Sequence, residues 1–184
     1  YQVDKIPFSE LNSEKLKHYK TVILGIRAFN KNEDLPSYKD LLMSYVHEGG
    51  NLIVQYNTTY DLKVDQIAPY VLNISRNRVT DEGSDVNILN PKHQIFKSPN
   101  KIELSDFDGW VQERGLYFAD NWDDEFEPLI SWNDKGEDPQ LGGLLVAEYG
   151  KGQYIYTGIS YFRQLPAGVP GAYKLMINMI EYKK

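Results

Sequence analysis

The chain has no cysteine, which excludes disulfides, thiolate nucleophiles and cysteine-ligated zinc. Its three histidines, His18, His47 and His93, lie far apart in the sequence, and none falls in a metal-binding spacing such as H-E-x-x-H. No run of about 20 apolar residues is present to cross a bilayer, and the first residues lack the charged and then apolar pattern of a signal peptide. The sequence therefore predicts a soluble domain with no metal, no other cofactor and no membrane span.

The motifs of several common catalytic and nucleotide-binding sites are also missing. There is no G-x-S-x-G nucleophile motif, no G-x-x-x-x-G-K-[ST] phosphate loop and no G-x-G-x-x-G after a strand. The acidic residues 120–125 look like part of a calcium loop, but the glycine and the final glutamate of such a loop are absent. We therefore interpret this cluster as a solvated turn.

A concentrated positive charge is lacking too. The net charge is -6 and the isoelectric point is about 5.1. The densest basic run, residues 15–20, alternates with apolar residues as the exposed face of a helix does. A nucleic acid would meet an unfavourable overall field with no basic patch to offset it, so no nucleic-acid partner is predicted.

What the chain does contain is typical of a globular protein. It has 184 residues, of which 41% are hydrophobic and 25% charged. This length and composition predict a single domain over residues 1–184. The aromatic content is high, with 14 tyrosines and 3 tryptophans. These rings either border the core or line a surface that grips sugars or peptides, and both interpretations stay open.

The first half carries the clearest structural pattern. Residues 21–26 are β-branched and apolar on both faces, as in a central parallel strand covered by helices. Residues 36–48 have a helical stripe that starts near a proline and ends before Gly49 and Gly50. A second strand-like run follows at residues 51–56. Strand, helix and strand at this spacing predict a right-handed βαβ unit.

The second half is less regular. Residues 58–101 are rich in polar residues and proline, which indicates loops and short strands. Strands are predicted at residues 126–132 and 142–149, and the latter forms a hairpin with residues 153–158. An amphipathic helix is predicted from about residue 170 to residue 182. Together the elements predict an α/β domain with a mostly parallel sheet flanked by helices and a C-terminal β-hairpin.

Ligands of open parallel sheets bind beyond the carboxyl ends of the strands, so the loops there are the first candidates. Arg27 and Asn30 follow the first strand, and Tyr56 and Asn57 follow the second. Arg27 can pair with a carboxylate or phosphate in bidentate fashion, and Asn57 can bond a sugar hydroxyl. Equally, the arginine can pair with a local carboxylate, and the asparagine can simply complete a turn.

The densest polar segment is residues 106–117, which includes Asp108, Trp110, Glu113 and Arg114. Asp108 and Glu113 can in principle divide the roles of general acid and base. Neighbouring carboxylates with an intervening arginine more often form an internal ion-pair network, which is the interpretation we favour. Spacing alone cannot establish an active site here.

A loop rich in proline and glycine, residues 161–171, precedes the last helix and carries Arg163 and Gln164. It can present both side chains to a ligand near the start of that helix. It can equally be a stiff connection without a ligand. The sequence does not distinguish these interpretations.

The order of these elements resembles the class I glutamine amidotransferase-like fold, a flavodoxin-like α/β sandwich. In that fold the second strand leads into a nucleophile elbow, which here falls at residues 55–57. Active members carry a cysteine at this position, and this chain has Tyr56 in its place. The resemblance therefore implies the fold without the Cys–His amidotransferase or peptidase mechanism.

A closer resemblance lies in three strings: VILGIRAFN at 22–30, FDGWVQERG at 107–115 and RQLPAGVPG at 163–171. They are similar to the carboxy-terminal region of large PIG-L/LmbE-type deacetylases of Bacteroidetes. In that family the zinc-dependent de-N-acetylase lies in an amino-terminal domain with an A-H-P-D-D-E-like motif, which this chain lacks. The resemblance implies an accessory domain of an exported carbohydrate-processing protein, periplasmic or secreted, with the parent catalytic domain and carbohydrate as partners.

Three hypotheses follow for function. The first is a non-catalytic module that binds glycan or packs against the parent deacetylase domain. The second is an independent glycan hydrolase that uses carboxylates such as Asp108 and Glu113. The third is a purely structural domain, for which Trp110, Arg114 and Arg163 would be buried in mutual contacts.

Overall fold

Five strands form the central sheet of the protein in the computed structural model, which describes residues 1–183. In spatial order they are β1 (Thr21–Leu24), β2 (Asn51–Gln55), β11 (Gly152–Thr157), β10 (Leu144–Tyr149) and β8 (Phe126–Pro128). β1 and β11 each run parallel to β2, whereas β10 is antiparallel to both of its neighbours. Four of these five strands therefore point the same way, which confirms the prediction of a mostly parallel sheet.

Helices cover both faces of the sheet. They are α1 (Ser13–Leu16), α2 (Ala28–Lys31), α3 (Lys39–His47), α4 (Tyr161–Gln164) and α5 (Pro170–Glu181), with 3-10 turns at Phe8–Glu10, Leu35–Tyr38, Gln94–Phe96 and Leu104–Phe107. Side chains of β2 alternate between the faces, because successive residues of a strand point to opposite sides. Leu52 and Val54 pack in one core with Leu42 of α3, and Ile53 packs in the other with Leu175 of α5.

The start of α5 shows how closely the elements approach one another. Proline begins the helix at residue 170, as the sequence predicts. A Cβ on Gly171 would lie 1.7 Å from the backbone oxygen of Asp106. The helix can therefore rest on the turn Leu104–Phe107 only because residue 171 has no side chain.

The position of β1 corrects one expectation from the sequence. Its apolar residues predict a central strand, but β1 lies at the edge of the sheet, and 42% of Ile23 is exposed. The central position next to β2 is taken by β11, which joins from about 100 residues further along the chain. A run that is apolar on both faces shows that a strand is covered from above and below, but it does not show what lies beside it.

Between β2 and β10 the chain forms small two-stranded sheets at one side of the domain. The pairs are β3 (Leu72–Ile74) with β7 (Ala119–Trp122), β4 (Arg78–Val79) with β6 (Gly115–Leu116) and β5 (Val86–Ile88) with β9 (Ile130–Trp132). The predicted strand at residues 126–132 is thus divided into β8 and β9, which belong to different sheets. Residues 120–122 of the predicted acidic turn lie within β7.

No helix among residues 1–183 is both long and apolar enough to cross a membrane.

Candidate functional site

The carboxyl ends of β1, β2 and β11 meet at one edge of the sheet, and the loops that follow them lie side by side. The loop after β1 is tied to the loop after β2, because the backbone N–H of Arg27 donates to the carbonyl of Tyr56 at 2.7 Å. Loops from the segment between β2 and β8, which carry Tyr60, Arg76 and Tyr117, lie beside these two loops. We call this region the carboxyl-edge site and define it by Arg27, Tyr56, Tyr60, Arg76, Tyr117 and Phe162.

Aromatic rings form the centre of the site. Tyr56 stacks on Tyr117, with ring centroids 5.6 Å apart and an interplanar angle of 16°. Phe162, which follows β11, lies 5.6 Å from Tyr56 on a tilted plane. Tyr56 is buried, Tyr117 and Phe162 are half-buried, and 50% of Tyr60 is exposed. The rings therefore make a continuous aromatic surface that runs from the core to solvent.

A hydrogen bond holds Tyr117 in place, because its carbonyl accepts from the Tyr156 hydroxyl. Burial is the main cause that raises the pKa of the Tyr117 hydroxyl, and the neighbouring hydroxyl of Tyr60 raises it further. The hydroxyl therefore stays neutral at physiological pH and can donate to a ligand.

Backbone strain is concentrated here. Among residues 1–183, four residues other than glycine have a left-handed conformation: Arg27, Asp61, Gln112 and Tyr117, with φ values of 56°, 56°, 61° and 55°. Arg27 and Tyr117 belong to the site, Asp61 follows Tyr60, and the Gln112 side chain bonds Arg163 beside Phe162. Each such residue costs on the order of 1–3 kcal/mol, and strain of this kind clusters at functional sites.

Arg27 also carries an unsatisfied donor. Its Nε is buried and has no hydrogen-bond partner within residues 1–183. Arg27 and Arg76 both act electrostatically on Tyr117, where they favour the ionised hydroxyl. The site therefore combines aromatic faces with two guanidinium groups.

The two predicted asparagines serve the loops themselves. Asn57 is fully buried, accepts from the Phe29 N–H at 2.9 Å and donates to the Gln55 carbonyl at 3.1 Å. Asn30 accepts from the Thr58 N–H at 2.8 Å and donates to the Thr58 carbonyl at 3.1 Å. Their amides link the loops after β1 and β2 and place Arg27 and Tyr56.

Within the predicted segment 106–117, Trp110 and Arg114 pack inward. Only 4% of Arg114 is exposed, and its guanidinium donates to the carbonyls of Phe107 and Ser84. It also lies 5.4 Å from the ring centroid of Trp110, as a cation–π contact. Trp110 is buried and donates to the Asp106 carbonyl at 2.9 Å. Both side chains therefore hold this segment against the core.

Glu113 pairs with Arg163 at 2.7 Å, and the Arg163 guanidinium lies over the ring of Phe162. The ion-pair interpretation of the sequence placed Arg114 at the centre, whereas the arginine that meets Glu113 comes from α4. Asp108 is exposed at the surface. Gln164 is buried and exchanges hydrogen bonds with the backbone of Val111, at 2.9 and 2.8 Å.

Sequence reasoning missed three members of the site, Tyr60, Arg76 and Phe162, whereas Tyr117 is the last residue of the predicted segment 106–117. Phe162 could have been found, because it follows a strand that runs parallel to β2. The others lie in irregular segments that only the tertiary fold brings to this edge. No cluster of three or more potential metal ligands occurs in the part of the chain that the structure describes.

Comparisons with known proteins bear on the fold. No protein-family model and no curated protein matches the chain. The cytoplasmic protein STM3548 of Salmonella typhimurium matches with a TM-score of 0.58 and 15% identity over 92% of this chain and 74% of that one. STM1381, a cytoplasmic protein of the LT2 strain, gives 0.61 and 15% over 94% and 76%. Gan42B, a GH42 beta-galactosidase of G. stearothermophilus, gives 0.49 and 13% over 90% and 21%. For the two Salmonella proteins, at 15% identity, the similarity shows a shared fold alone.

Proposed function

We propose that the chain is a non-catalytic accessory domain that binds carbohydrate at the carboxyl-edge site. The observation that carries the proposal is the stack of Tyr56 and Tyr117 beside Arg27, whose Nε has no partner in residues 1–183. Apolar faces of sugar rings pack on aromatic rings, and guanidinium groups donate to sugar oxygens. An aromatic surface with a few converging donors is typical of a ligand site.

The parent protein in this proposal is a PIG-L/LmbE-type deacetylase, and the fold is the flavodoxin-like, amidotransferase-like sandwich that the sequence resembles. Tyr56 directly follows β2, where that fold places its nucleophile elbow. In place of a reactive sulfur, this position holds a buried tyrosine that supports the half-buried ring of Tyr117. Recognition of the glycan is then assigned to this domain, and removal of the N-acetyl group to the parent catalytic domain.

The alternative of a carboxylate-based glycan hydrolase has less support. A general acid must keep its proton near neutral pH, which requires an environment that disfavours the charged form. Glu113 instead forms an ion pair with the guanidinium of Arg163 at 2.7 Å, and Asp108 is exposed to solvent. These surroundings suit structural carboxylates better than an acid and base pair.

NMR titration of the chain with N,N′-diacetylchitobiose, methyl β-D-glucoside and methyl β-D-glucuronide tests the proposal. We expect shifts at Tyr60, Tyr117 and Phe162 for at least one probe. Tyr60→Ala should weaken that binding about fivefold, since one aromatic contact contributes about 1 kcal/mol. The matched control is Tyr173→Ala, because this tyrosine on α5 is 45% exposed and lies outside the site. If none of the three probes shifts these residues, the proposal is wrong and the structural alternative gains support.

A second candidate function, packing against the parent catalytic domain, is favoured by apolar exposure at the free edge of the sheet. Tyr1 and Val3 are 77% and 87% exposed, and they line one groove together with Ile23 of β1. Ile23→Asp should lower the melting temperature of the full-length parent protein by several degrees and leave this domain unchanged when it is measured alone. Equal melting curves for both full-length proteins would remove this candidate.

A further inference from the structure

The arginines of this acidic chain fall into two groups. Arg78 pairs with Glu137 at 3.8 Å, Arg163 pairs with Glu113 at 2.7 Å, and Arg114 is bonded to backbone carbonyls. For Arg27 and Arg76, the structure of residues 1–183 gives no carboxylate partner and no side-chain hydrogen bond. The chain has 26 acidic residues against 20 basic ones, so the lack of acidic partners at these two positions does not reflect a shortage of carboxylates.

The two unpaired arginines lie at the same place. The backbone N–H of Arg27 bonds to the carbonyl of Tyr56, whose ring stacks on Tyr117. The chain neighbours of Arg76, Ser75 and Asn77, exchange backbone hydrogen bonds with Phe118 at 2.8 and 3.0 Å. Both arginines therefore border Tyr117, which is in the centre of the carboxyl-edge site. Arg27 is half-buried and Arg76 is exposed. Because neither guanidinium is paired with a carboxylate of residues 1–183, both are open to an anionic ligand.

We infer that the ligand of the carboxyl-edge site is an acidic saccharide, whose carboxylate is held by Arg27 and Arg76 while its ring packs on the adjoining tyrosines. This inference rests on the proposed function and deepens it. Planar guanidinium groups match a carboxylate with two parallel hydrogen bonds, which a neutral hydroxymethyl group cannot provide. The tyrosine hydroxyls at the same site, Tyr60 and Tyr117, add donors for the ring hydroxyls.

Methyl β-D-glucuronide and methyl β-D-glucoside provide the direct test, because they differ only in the carboxylate at C6. We expect calorimetry at low salt to give about tenfold tighter binding of the glucuronide, with the ratio falling as salt is added. Arg27→Gln and Arg76→Gln should each reduce glucuronide affinity about tenfold and bring the ratio of the two affinities close to one. Arg78→Gln is the matched control, because this exposed arginine lies two residues from Arg76 and outside the site. It should leave both affinities unchanged.

The remaining outcomes overturn the inference in distinguishable ways. Equal affinity for the two glycosides would leave carbohydrate binding in place and refute the acidic specificity. Failure of all the saccharide probes would refute the proposed function and the inference together. Inorganic phosphate is the third arm: if it binds at Arg27 and Arg76 while the glucuronide does not, the arginines bind an anion other than a sugar acid, and the inference is wrong.

Discussion

Two regions of the molecule are rich in functional side chains, and they use them in opposite ways. Residues 106–114 with Arg163 and Gln164 of α4 carry more charged and amide groups, but most of them bond to the protein itself, including Arg114 and Gln164. The carboxyl-edge site has fewer polar groups, yet neither of its two arginines has a carboxylate partner within residues 1–183. A high density of polar residues therefore marks structure as readily as function. Guanidinium groups without a carboxylate partner beside accessible aromatic rings are the more specific sign of a ligand site.

Among the substitutions that test this comparison, the largest effect is expected at Arg114. Arg114→Ala removes a buried guanidinium and leaves the carbonyls of Phe107 and Ser84 without their donor. We expect a loss of about 3–5 kcal/mol in the free energy of unfolding, as for other buried charged groups that lose their contacts. Urea denaturation followed by tryptophan fluorescence measures this loss.

Arg76→Ala is the matched control for that measurement. The side chain of Arg76 is exposed, so its removal should change the free energy of unfolding by no more than about 0.5 kcal/mol. Similar losses for both variants would show that the division into a structural region and a ligand site is wrong.

Asp134 provides a second test of the comparison. It holds the loop of Thr80 and Asp81, which leads to Ser84, an acceptor of the Arg114 guanidinium. Its buried carboxylate accepts hydrogen bonds from the Thr80 hydroxyl at 2.6 Å and from the N–H groups of Thr80 and Asp81, both at 2.8 Å. Burial tends to raise the pKa of Asp134, but these bonds outweigh it and lower the pKa below the usual value. Asp134→Asn should cost about 2 kcal/mol at neutral pH, since the bonds to the charged oxygen are weakened.

The pH dependence of this loss has a definite sign. A carboxyl group whose pKa is lower in the folded state stabilises the protein fully above its unfolded pKa of about 3.9. That contribution disappears as the pH falls through the lower folded value. The difference between wild type and Asp134→Asn should therefore be constant from pH 5 to pH 7 and shrink below about pH 4. A difference that stays the same down to pH 2 would contradict the role given to the charged oxygen.

The parts of the fold that sequence predicts well are those with local signals. The βαβ unit of β1, α3 and β2 follows from apolar runs and from Pro36, Gly49 and Gly50 at the boundaries. The order of strands is not a local property. β1 and β2 both look central in sequence, and only the return of β11 decides which of them is enclosed.

The residues of the candidate site also divide into those that local sequence predicts and those that only the tertiary fold brings together. Arg27 and Tyr56 were predictable, because each directly follows a parallel strand. Tyr60, Arg76 and Tyr117 come from segments with no hydrophobic period, so nothing near them in sequence indicates that they meet. The side chains of Asn30 and Asn57 bond to the protein itself instead of facing a ligand. This is likewise a tertiary property, since each bonds a loop that follows a different strand.

The smallest effect is expected at Glu113, at the boundary between the two regions. Its partner Arg163 has a side chain that is 35% exposed, so water and salt screen the ion pair. Glu113→Gln should lower the free energy of unfolding by less than about 1 kcal/mol, and 1 M sodium chloride should remove most of that difference. Gln164→Leu, a few ångströms deeper, is the comparison variant. Because it leaves the backbone N–H of Val111 without its acceptor and removes a donor from the Glu113 carbonyl, it should cost about 1–3 kcal/mol and respond little to salt. A Glu113 variant as unstable as the Gln164 variant would place this ion pair in the structural core.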